Sequence, residues 1–128
     1  MPIDQLAAIV ACALLAGLGI FQGALIGGVP LGRMAWGGQH DVLPARLRIG
    51  SAVSIALYAL FAYAALARAD LTPPVLNENV TAVVAWALTA YFTLGVAMNV
   101  ISRSKSERLV MTPVALVLAG LYLILSLS

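Results

Sequence analysis

Four stretches of ~20 apolar residues each, at positions 6–29, 49–66, 80–101 and 109–127, take up nearly all of this 128-residue chain. The hydrocarbon core of a bilayer is ~30 Å thick and needs ~20 residues of helix per crossing. No water is on hand there to satisfy a free N–H or C=O, so a crossing segment must bond its own backbone as a helix. The pattern predicts an all-α fold, a four-transmembrane-helix bundle, as a single integral membrane domain over residues 1–128. Charged residues are only 9% of the chain, where a soluble domain carries ~25%, so soluble enzymes are excluded as a class. The pI of about 9.0 would suggest nucleic acid in a soluble protein. Here the basic residues sit in two short loops, and the expected partner is the lipid bilayer, with no nucleic acid.

Those loops set an orientation. The connections between spans 1 and 2 and between spans 3 and 4 share one side and hold Arg33, Arg46, Arg48, Arg103, Lys105 and Arg108. The opposite side has Arg68 with Asp4, Asp70 and Glu78. Lys and Arg accumulate on the cytoplasmic side. Both loops are therefore expected in the cytoplasm and both termini outside (N-out/C-out), in a bacterial-type plasma (inner) membrane. The first residues do not read as a secretory signal, since they contain Asp4 and no basic residue. Ala45-Arg46-Leu47 leads into the second span much as Glu107-Arg108-Leu109 leads into the fourth. That similarity suggests two parallel helical hairpins, a plan some transporters use.

Span 1 carries Gly19, Gly23 and Gly27 at intervals of four. Such a small-residue strip is expected to let another helix pack closely, from this chain or from a second copy. The connection after it holds Pro30, Gly32, Gly37, Gly38 and Pro44, which excludes a long regular helix. It also keeps Leu31, Met34, Trp36, Val42 and Leu43, so it reads as a folded loop at the interface or dipping between helices. Trp36 is expected at headgroup depth. Ser51, Ser54 and Tyr58 fall on one face of span 2. The external loop reads as turn and helix-start chemistry, with Pro73-Pro74 and Asn77. Ser104-Lys105-Ser106-Glu107 fits a capping box, which starts the last helix before its apolar run and leaves Pro113 inside it. A fresh start at Thr112-Pro113 is the alternative.

The polar residues of the spans cluster in the loop-side half. Gln22, Ser54, Tyr58 and Asn99 come from three spans at similar depth, and in hydrocarbon each needs a partner. They are the candidate ligand-binding residues, with His40 nearby and with Arg33 and Arg46 at the mouth favouring an anionic or polar small ligand. No catalytic residue or cofactor is assigned, and one histidine is too few for a metal site. The spans themselves hold no Asp, Glu or Lys, the groups that proton-coupled exporters usually need.

The reading that follows is a non-catalytic transport or ligand-binding module with a cytoplasm-facing polar pocket, as a homo-oligomer or with a larger membrane partner. The alternative is a structural or accessory subunit of a membrane complex, or a lipid-interacting protein. A third is an interfacial enzyme using His40 beside Asp41. The first needs a cavity at the level of Gln22, Ser54 and Asn99; the second needs those groups bonded to one another; the third needs His40 facing a pocket.

Overall fold

A computed structural model describes residues 1–73 and 76–128 of the chain. Pro74, part of the expected Pro-Pro turn, lies outside the described residues. Four helices follow one another: α1 (Ile3–Ile26), α2 (Ala45–Arg68), α3 (Glu78–Val100) and α4 (Lys105–Leu127). All four are long and apolar enough to cross a membrane. Their faces away from the bundle are aliphatic, with Ile20, Leu60, Val83 and Leu94 among the most exposed side chains. Such surface suits lipid or another apolar surface.

The ends of the helices follow local chemistry. Pro44 stands just before α2, where its fixed φ suits a helix start and its missing N–H costs nothing. Asn77 caps α3 by accepting the Val80 N–H at 2.9 Å. α4 is continuous from Lys105, so the capping-box start holds and the helix runs on through Pro113. At the other end, Arg68 reaches across from α2 to the last carbonyls of α4. Its Nε donates to Leu125 O at 2.9 Å and its Nη2 to Ser128 O at 2.7 Å. Carbonyls at a helix C-terminus lack intrahelical partners and carry partial negative charge, and a guanidinium answers both.

Neighbouring helices in sequence are neighbours in space, and α1 also packs on α4, which closes the ring. Of the sides of this ring, α2 against α3 is the most sparsely packed. The half near the termini is dry and dense. Ala7, Ala8, Ala11 and Leu15 of α1 meet Ala65 of α2, Leu88 and Phe92 of α3, and Leu118, Tyr122 and Leu125 of α4. Phe92 stacks on Tyr122 at 5.3 Å between centroids, and the Tyr122 hydroxyl donates to Phe61 O at 2.6 Å.

The glycine strip does not pack within the chain. A Cβ added at Gly19 or Gly23 would meet nothing within 4 Å. Residues spaced by four advance ~40° around a helix at each step. The line that starts on the core face at Ala7 and Ala11 has therefore rotated away from it by Gly23. Contact with the bundle is carried instead by Leu15, Gln22 and Leu25. The two hairpins are also less alike than the sequence suggested. Ala45 opens α2, whereas Glu107 is the third residue of α4, so the matching tripeptides are out of register.

The glycines that matter lie in the first connection, which folds into two tight turns, Gly32–Met34 and Trp36–Gly38. A Cβ on Gly38 would lie 2.3 Å from the Ser104 Cβ, and the residue has φ +72°. Gly38→Ala should therefore lower stability by about 2 kcal/mol. Gly23→Ala should raise it by about 1 kcal/mol through helix propensity alone. Paired denaturation curves in detergent test this, and equal curves for the two variants would contradict it.

Candidate functional site

The first connection is pinned to the start of α4. The Ser104 hydroxyl donates to Arg33 O, and the Glu107 carboxylate accepts the Gly37 N–H at 3.3 Å. Gly32 closes the loop on itself, its N–H donating to Asp41 O at 2.8 Å. Ala35 and Leu43 are buried against Leu25, with Phe21 and Leu47 around them. So the loop dips between the helices. Trp36 lies beside the start of α2 and is 42% exposed. Its ring lies against Gly50, where a Cβ would come within 2.8 Å, and its Nε1–H donates to Ser51 Oγ at 3.2 Å. Trp36 holds φ +54°, a left-handed conformation that costs about 1–3 kcal/mol in a non-glycine residue. The indole contacts and the neighbouring Gly37 and Gly38, also at positive φ, keep the turn in place.

Above the loop, in the half of the bundle away from the termini, the helices leave a cavity of about 480 Å³. α1 contributes Leu18, Phe21 and Gln22, and α2 contributes Ser54 and Tyr58. α3 lines it from Tyr91 to Asn99, and α4 does so with Glu107, Met111 and Leu118. Tyr91, Leu94 and Met98 line the cavity and are also more than half exposed. Residues can be both only at an open edge, so the cavity opens through the sparse α2–α3 side.

Its polar groups are largely unengaged with one another. Gln22 Nε2 donates to the Tyr58 hydroxyl at 3.4 Å, the one bond that joins two of the expected site residues. Ser54 donates to Gly50 O and Asn99 to Gly95 O, each on its own helix. Gln22 is only 7% exposed, and its Oε1 has no partner. Thr112 Oγ1 is likewise buried and unbonded. An unsatisfied buried acceptor costs about 1–3 kcal/mol.

Gln22, Ser54, Tyr58 and Asn99 are thus brought together on one cavity. Arg33, Arg46 and His40 are not among its lining residues. Arg33 is turned outward, its side chain 72% exposed and its Nε on Asp41 Oδ1 at 2.6 Å. Arg46 is exposed on the first turn of α2. Asp41, the carboxylate expected to serve His40, is occupied by Arg33. From the loop, Met34, Ala35 and Trp36 line the cavity instead.

The site residue that sequence reasoning passed over is Glu107. It is 8% exposed, lines the cavity, and has no cation within 4 Å among the described residues. In a capping box its side chain would return to the Ser104 N–H. Half of that arrangement is present, with Ser104 Oγ accepting the Glu107 N–H at 3.4 Å, but the carboxylate turns to the loop. The signal available was its position just ahead of an apolar run.

Ser51 is completely buried, and its hydroxyl is the partner of the Trp36 indole. Ser51→Ala should lower stability by about 1–3 kcal/mol, because a buried N–H is left unbonded. The midpoint of denaturation measures it, and an unchanged midpoint would mean the indole does not depend on Ser51. In comparison with family models, curated proteins and solved structures, the chain matches none.

Proposed function

We propose that this small membrane protein is a non-catalytic binding or transport module that takes a small molecule into the cavity of its loop-side half. The observation that carries this reading is that Gln22, Ser54, Tyr58 and Asn99 line one cavity while, among the described residues, only Gln22 and Tyr58 bond to each other. A purely structural glutamine would be expected to use both ends of its amide, since an interhelical hydrogen bond in a membrane contributes only ~0.6 kcal/mol on average. The cavity volume is within the usual range for small-molecule sites, ~300–1,000 Å³. With the basic loops on the cytoplasmic side, the cavity occupies the cytoplasmic half and both termini lie outside, the whole chain acting as one membrane domain.

A second reading is an accessory subunit that packs against a larger partner or lipid. It is favoured by the hydroxyls and amides that bond their own helix, as Thr93 does to Thr89 O at 2.7 Å. An interfacial enzyme has less support, because His40 and Asp41 do not form a pair.

Cysteine chemistry separates the first two. With Cys12 replaced by Ala, single cysteines at Ser54 and Asn99 should react with a water-soluble thiol reagent supplied from the loop side. Complete protection of both in folded protein would mean a dry core and would favour the accessory subunit.

A further inference from the structure

One carboxylate stands among the neutral amides and hydroxyls of the cavity, and its charge names a class of ligand. Ser54 has its only proton committed to Gly50 O, which leaves its oxygen lone pairs. Asn99 uses its NH₂ on Gly95 O and offers its carbonyl oxygen. Gln22 uses its NH₂ on Tyr58, leaving Oε1 unbonded. The Trp36 N–H is taken by Ser51. The hydroxyl proton of Tyr58, which accepts from Gln22, and the second N–H of each amide are the neutral donors left on these side chains. Beside these groups stands the Glu107 carboxylate, buried, bonded to one backbone N–H and without a cationic partner among the described residues.

A buried carboxylate without a partner is costly. The first turn of α4 eases this through the helix dipole but brings no full positive charge. The arginines of the loop do not supply it. Arg33 is held by Asp41, Arg48 Nε donates to Leu43 O at 2.8 Å, and Arg108 Nη1 donates to Ser102 O at 2.9 Å. The missing element is a cation that donates hydrogen bonds. The remaining walls are apolar, aromatic and methionine-bearing, with Phe21, Tyr91, Met98 and Met111 among them. Aromatic faces attract ammonium ions, and methionines adapt to apolar chains of varied shape. The open α2–α3 side faces lipid, where an amphiphile would already be dissolved.

We propose that the cavity binds an amphiphilic organic ammonium ion entering laterally between α2 and α3, with Glu107 as its counter-charge. This rests on the ligand-binding reading above and replaces the anionic ligand that the loop arginines suggested. The ammonium group sits against Glu107 near Asn99, and its alkyl part lies along the methionine wall toward the opening.

Three probes of equal chain length test it: n-octylammonium, n-octanol and octanoate. They are added to the protein in zwitterionic phosphatidylcholine nanodiscs, which carry no net charge of their own. Trp86 does not line the cavity, so Trp86→Phe leaves Trp36, which does, as a single fluorescent reporter. Octylammonium should change Trp36 emission saturably and bind about tenfold more tightly than octanol, with octanoate weakest. Glu107→Gln keeps an acceptor for the Gly37 N–H and removes the charge. It should weaken octylammonium about tenfold and leave octanol unchanged.

Octanoate binding as tightly as octylammonium would overturn the cation assignment while leaving the pocket in place. So would an unchanged octylammonium affinity in Glu107→Gln. No saturable response to any of the three probes would overturn both this proposal and the pocket beneath it. The order of the probes on protein with Glu107 intact decides the question even if the Glu107→Gln chain fails to fold.

Discussion

Hydrocarbon offers no hydrogen-bond partner, and the arrangement of this molecule follows from how each polar group meets that constraint. The backbone answers it with four helices. Most side-chain hydroxyls answer it on their own helix, as Ser54 does with Gly50 O and Thr89 with Ala85 O. The dry half near the termini adds cross-helix bonds, including Thr89 with Ser126 at 3.0 Å and Tyr122 to Phe61 O. There the demand is met completely by short, local or well-packed contacts. In the other half it is not, and the unmet groups mark the cavity.

The cavity exists because the first connection is folded and not merely long. Its glycines allow a backbone path that other residues would block: a Cβ on Gly32 would fall 2.0 Å from His40 O, and one on Gly38 would strike Ser104. That path lets Ala35 and Trp36 enter the bundle from below while Glu107 holds the turn through Gly37. The loop lies against the cavity, with Met34, Ala35 and Trp36 among its lining residues. The residues doing this come from opposite ends of the chain, so the feature is set by tertiary packing and not by any local motif.

The same geometry keeps the loop charges apart from the cavity. Arg33 and Arg46 are near the cavity in sequence, and a basic mouth implies an anion. Yet the Arg33 backbone carbonyl faces Ser104 while its guanidinium turns out to Asp41. A long flexible cation near an interface gains more from water than from a buried position. What lines the cavity is one carboxylate with neutral amides and hydroxyls.

The spans and the helical class were legible in the sequence, because length and apolarity in a bilayer leave a single backbone solution. The polar half was legible too, since helix direction fixes the depth of Gln22, Tyr58 and Asn99 before any packing is known. The start of α4 at Lys105 followed from its capping pattern, and that of α2 is explained by Pro44, although the apolar run began later. Within the chain the glycine strip makes no close contact, because a spacing of four drifts around a helix and only the packed bundle shows where a face has turned away. Glu107 was hidden because a capping carboxylate and a site carboxylate look identical in sequence. The choice between them was made by Gly37, seventy positions away, and contacts at such separation exist only once the helices have packed.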